Sequence, residues 1–144
     1  MKSLSLTQKL AWFFAANFLL VFIVCHSPGF TDATGHLFGL FFIDPIDDVF
    51  HLLSAVVAAI AAWKSAKWSR IYFKLIGIPY GLDALTGLLF NREFLNLDVF
   101  THGLGSANLS IPNILINGPH IIILLSAVWI GFFMKDKELD GPRT

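Results

Sequence analysis

Four apolar stretches dominate this chain: Leu10 to Cys25, Pro45 to Ala66, Ile71 to Phe90 and Pro112 to Met134. At about 1.5 Å of rise per residue, a helix of ~20 residues crosses the ~30 Å hydrocarbon core of a bilayer. Inside that core a backbone must satisfy its own polar groups, and a helix does so within one segment. The sequence therefore predicts an all-α membrane protein, a bundle of four transmembrane helices. Composition agrees, with 56% hydrophobic and 14% charged residues, against about 45–50% and ~25% in soluble domains. Four spans and two longer connections use up the 144 residues. A single domain over 1–144 is expected, with no room for a soluble catalytic module.

The formal net charge is zero and no basic block is present, so nucleic acid is not an expected partner. The expected partners are the lipid bilayer and other membrane subunits or further copies of the chain. Cys25 is the only cysteine, which rules out an intrachain disulfide and a cysteine metal cluster. Lys2 and Lys9 ahead of the first apolar stretch imitate a signal peptide, but no small-residue cleavage site follows. The first stretch is expected to remain as a span.

Charge placement predicts the topology. Lys2 and Lys9 precede the first helix, Lys64, Lys67, Arg70 and Lys74 surround the turn between the second and third, and Lys135, Lys137 and Arg143 follow the fourth. The other two connections hold Asp32, Asp44, Asp47, Asp48, Glu93 and Asp98 against Arg92 alone. Lysine and arginine bias places both termini and the middle turn in the cytoplasm, and the two longer connections outside. The first, Cys25 to Asp44, carries an apolar run too short to span and is expected in the outer interface or over the bundle. The second, Asn91 to Ile111, reads as an irregular loop.

Polar residues within the spans are the candidate site. Asp83 is placed roughly 10 Å inside the outer end of the third helix, where a carboxylate needs a partner or a wet cavity. Tyr80 and Thr86, three residues away on either side, are expected donors to it. His51 and His120 enter the outer leaflet from two other helices. With Asp83 they would form a two-histidine, one-carboxylate group suited to zinc or non-haem iron. Haem between the two histidines is a further form of that idea.

Helix starts explain many of the same residues without a ligand. Asp44 before Pro45 is a good N-cap, and Asp47 and Asp48 then complement the helix dipole. His51 can bond Asp47 one turn back. Asn117 can cap a helix that restarts at Gly118-Pro119. Gly77 and Gly81 give the third helix a close-packing face, which with Asp83 predicts the most enclosed helix of the bundle, and mid-span Asn17 is expected to bond between helices.

The stretch Gly35 to Phe90, with Asp44-Pro45 leading into Asp47, Asp48 and His51-Leu52, resembles a family of small four-helix bacterial integral membrane proteins classed as a domain of unknown function. That family has two helices that each open with Asp or Asn a few residues before His-Leu. Its second motif falls here on Asn117 and His120, where Pro119 precedes the histidine and Ile121 replaces the leucine. The resemblance implies the four-helix fold and implies no activity; the expected location is the bacterial inner membrane, with both termini cytoplasmic.

No nucleophile–base pair and no phosphate loop are recognisable. The expected role is a structural, accessory or interaction subunit without enzymatic activity. The alternatives are a metal- or haem-binding protein using the outer-face histidines and, third, a proton-coupled transporter. The sequence names no cofactor.

Overall fold

The computed structural model describes residues 3–27 and 29–140. Helix α1 spans Leu6–Cys25, starting four residues before the apolar stretch. The cause is a capping box: Gln8 N donates to Ser5 Oγ and Ser5 N donates to Gln8 Oε1, both at 3.2 Å, closing two open amides of the first turn. After α1 a two-stranded hairpin forms, β1 (His36–Leu37) antiparallel to β2 (Phe41–Phe42). Phe38 and Gly39 turn it with φ of 54° and 69°.

Helix α2 spans Pro45–Lys64. As expected, Asp44 caps it, its Oδ1 accepting from Ile46 N at 2.7 Å and Asp47 N at 3.4 Å. Helix α3 spans Ala66–Phe90, five residues longer at its start than the apolar stretch. Ser65 is the C-cap of α2 and the N-cap of α3, accepting from Trp68 N at 3.3 Å. Lys67 and Arg70 thus belong to a helix, not a turn. Pro79 lies within α3, as membrane helices tolerate.

Beyond α3 the chain forms the short helix α4 (Asp98–Thr101). Helix α5 (Ile111–Val128) follows, running on into a π-helical turn at Trp129–Phe133. Helix α6 (Lys137–Asp140) ends the described chain. Helices α1, α2, α3 and α5 with its π-turn are each long and apolar enough to cross a membrane.

Helix α1 packs chiefly on α2 and α3 on α5, with α2 and α3 joining the pairs. Small residues make this possible. Ala11, Ala58 and Ala62 are fully buried beside Tyr72 and Phe73. A Cβ on Gly87 would stand 2.0 Å from Asn117 Oδ1, and one on Gly131 3.0 Å from Lys74 N. Gly77 faces Ala127 and Gly81 faces Leu124, so the expected glycine face packs on α5. Helix α3 is not singular in its enclosure, because α2 is buried to the same extent. Large apolar side chains such as Leu20, Leu75, Leu85 and Phe133 point outward. In water such a surface would be a liability; against acyl chains it is the expected exterior.

The end of the bundle carrying the α2–α3 turn is tied by polar bonds. Thr7 donates to the Asp136 carboxylate through its backbone N at 2.9 Å and through its hydroxyl. Gln8 Nε2 donates to Ala62 O at 2.8 Å, and Arg70 Nη2 to Met134 O at 2.9 Å.

Candidate site at the other end of the bundle

Asp83 is 2% exposed, and among the described residues its carboxylate accepts three hydrogen bonds. Phe94 N and Leu95 N each donate to Oδ1 at 2.7 Å, and His120 Nδ1 donates to Oδ2 at 2.6 Å. The carboxylate thus holds the second connection against the bundle and joins α3 to α5. Neither expected donor reaches it. Tyr80 Oη lies 3.0 Å from Ser54 Oγ on α2, and Thr86 Oγ1 donates to the Asp83 carbonyl at 3.2 Å. Backbone amides outcompete them because the chain after α3 folds inward. Leu95, 1% exposed, packs with Phe18, Ala55 and Tyr80.

The two histidines converge. Their ring centroids are 6.1 Å apart, and Tyr80 lies against both, at 6.2 Å from His51 and 5.2 Å from His120. Phe18 of α1 lies beside Tyr80, its ring 5.3 Å from Tyr80 and 6.0 Å from His51. His51 Nδ1 stands 3.9 Å from Asp47 Oδ2, outside hydrogen-bond range. Among the described residues, His51 Nδ1 and Asp47 Oδ1 are buried without a hydrogen-bond partner.

The carboxylate that joins the histidines as a third donor is therefore Asp47, not Asp83. Asp47, His51 and His120 each offer a ligand atom within 4.8 Å of the others. Asp83 stands behind His120 and orients it. Asp48 is buried on the α1 side, its Oδ2 3.8 Å from His26 Nε2.

Two other expected roles are corrected. Asn117 caps no new helix: α5 runs unbroken through Gly118-Pro119, and Asn117 Nδ2 donates one turn back to Asn113 O at 2.9 Å. Its buried side chain fits against α3 because Gly87 leaves the space. Asn17 bonds within its own helix, Nδ2 donating to Phe13 O at 2.8 Å. Among the described residues it bonds to no other helix, and it lines a cavity.

That cavity, about 540 Å³, lies among α1, α2, α5 and the hairpin. Its apolar wall includes Phe13, Phe14, Phe18, Phe41, Phe42 and Ile123, and its polar side Asp47, Asp48, His51, Asp83, Glu93 and His120. Among the described residues, none that lines it is Lys or Arg. Burial pushes the Glu93 carboxyl up to about 7, and the charges of Asp83 and Asp47 add to the rise.

Glu93 and Gly87 complete the site and were not singled out as its members from the sequence, whereas Tyr80 was, in the different role of a donor to Asp83. The apolar pair Phe94-Leu95 within a polar connection was the available sign that this segment turns inward. Neither the comparison with curated proteins nor that with solved structures gave a match. Residues 8–105 match the family described as a domain of unknown function (DUF4383), and with about two thirds of its length so matched the chain belongs to that family.

Proposed function

We propose that this multi-pass membrane protein binds a small amphiphile, an apolar body carrying an amine or hydroxyl head, and catalyses no reaction on it. The cavity carries this reading: about 540 Å³, walled by phenylalanines on one side and lined by carboxylates and histidines on the other. Binding pockets share this makeup, mostly apolar with a few convergent polar groups. Carboxylates without a lysine or arginine among them favour a head that donates hydrogen bonds and disfavour a fatty acid. Lysine and arginine bias supports a bacterial inner-membrane orientation with cytoplasmic termini, so that the cavity sits toward the outer face.

The test uses a dansylated alkylamine titrated into the full chain in nanodiscs. Saturable binding of one probe per chain is expected, weakened at least 10-fold by Ile123→Trp, which fills the apolar wall. The corresponding dansylated fatty acid should bind more weakly. Absence of saturable binding to the folded protein defeats the proposal.

A further inference from the structure

We propose that Asp47, His51 and His120 form a binding site for one divalent transition-metal ion of the zinc class, with Asp83 as the residue that positions His120. The inference deepens the ligand-binding reading in that it rests on the cavity as the ion's way in, but it requires no organic occupant.

Three observations carry it. The donor atoms come from two different helices yet lie within 4.8 Å of one another. A four-coordinate zinc ion with ligands at about 2.0–2.2 Å sets its donors roughly 3.3 Å apart. Rotation of the Asp47 and His51 side chains on α2 toward His120, whose ring Asp83 holds, would close that difference. Two polar atoms of the cluster are also unused: His51 Nδ1 and Asp47 Oδ1 are buried without a hydrogen-bond partner among the described residues, and the His51 residue is 9% exposed. A cluster built only for packing would pair them, because an unsatisfied buried polar group costs about 1–3 kcal/mol.

The third observation is the bond from His120 Nδ1 to Asp83 Oδ2 at 2.6 Å. It commits Nδ1 as a donor and leaves the lone pair on Nε2. Metal-ligating histidines are oriented by a carboxylate on their other nitrogen in this way. Asp83 is itself fixed by Phe94 N and Leu95 N, so the ring that it aims is rigid.

Two imidazoles and one carboxylate suit Zn²⁺ or Fe²⁺ and leave a coordination position open toward the cavity. Haem does not fit. The histidine rings are 6.1 Å apart, and the buried Tyr80 ring stands 5.2 and 6.2 Å from them, beside their midpoint, where a macrocycle would have to lie. The site holds a bare ion.

The experiment strips the full-length protein with chelator in detergent and titrates it with Co²⁺, then displaces Co²⁺ with Zn²⁺. One Co²⁺ per chain with a visible ligand-field band, bleached by Zn²⁺, is expected. His51→Ala and Asp47→Asn should abolish the band, while His36→Ala and His102→Ala, on the outer connections, should leave it unchanged. Asp83→Asn should weaken Co²⁺ binding roughly 10–100-fold yet still reach one ion per chain at saturation. If a site variant fails to fold, the wild-type titration decides alone. Folded wild-type protein that binds no stoichiometric Co²⁺, or a band that survives both His51→Ala and His120→Ala, overturns the proposal. The dansyl-alkylamine titration on the same preparation keeps the two readings separate. Probe binding without metal sinks the ion site alone, and metal without probe binding supports it while sinking the amphiphile.

Discussion

Asp83 on α3 and His120 on α5 are 37 residues apart in sequence and share a 2.6 Å hydrogen bond inside the bundle. The same carboxylate accepts from Phe94 N and Leu95 N, so one buried side chain decides the position of a helix, a ring and a loop. Its removal should be felt in all three.

Asp83→Leu leaves two amides and a ring N–H without their acceptor, at a cost of about 1–3 kcal/mol for each donor that finds no substitute. Asp83→Asn keeps an oxygen for the amides and should fall within about 1 kcal/mol of the parent. Thermal unfolding of the purified protein in detergent distinguishes them. A leucine variant that melts with the parent would mean that Asp83 is not the strut described above.

Hydropathy made the four spans legible, because an apolar run of this length has one dominant use. It missed the ends of the helices for a physical reason. Leu6 to Lys9 become helical through the Ser5–Gln8 capping box, and Ala66 to Arg70 through the Ser65 cap, and neither device is apolar. Similar depth in two spans marked His51 and His120 as candidates for one site, but their convergence was not legible, because it depends on α2 and α5 both packing on α3. The identity of the third donor was not, because it depends on where the chain after Phe90 travels. Once Phe94 N and Leu95 N occupy Asp83, that carboxylate turns to His120 and Asp47 takes its place beside the histidines.

Glycine substitutions should separate close helix contacts from mere small residues. Gly87→Ala puts a methyl into the Asn117 side-chain amide and must displace that buried group, at the expense of its 2.9 Å bond to Asn113 O. A loss of about 1–3 kcal/mol is expected from such overpacking. Gly81→Ala meets Leu124 Cδ1 at 2.8 Å, a side-chain end that can rotate away, so its effect should be smaller. Gly118→Ala meets nothing within 4 Å beyond its chain neighbours, but Pro119 disfavours a helical conformation for a preceding residue with a Cβ, which offsets the gain in helix propensity and should leave it near the parent. Gly87→Ala is expected to melt lowest, with Gly81→Ala between it and the parent; a reversed order would place the helix contact elsewhere.

The proposed orientation is open to direct test. A protease site inserted after Gly103, where the surroundings are open, should be cut by external protease in spheroplasts. A tag at either terminus should be protected until the membrane is permeabilised. Cleavage of the terminal tags in sealed cells would invert the topology.

Glu93 should make stability fall as pH rises toward neutrality. Its carboxyl is pushed up to about 7, first by burial and then by the charges of Asp83 and Asp47, with His120 opposing and Asp44 adding to the rise. Asn96 Nδ2 donates to it, which does not offset the burial. In the unfolded chain a glutamate titrates near 4.3. Between these two values the folded state therefore holds a proton that the unfolded state has released, and linkage makes stability decrease with pH across that window. The decline should begin above about pH 4.5 and level off once Glu93 is ionised in both states, above about pH 7. Glu93→Gln removes the titration while keeping most of the shape. The measurement is the difference in melting temperature between Glu93→Gln and the parent, in one detergent at constant ionic strength, from pH 5 to 8. The difference should grow in favour of the glutamine variant as pH rises and then become constant. A difference that stays flat over the whole range would place Glu93 in water, and the second connection would not be folded against the cavity as described.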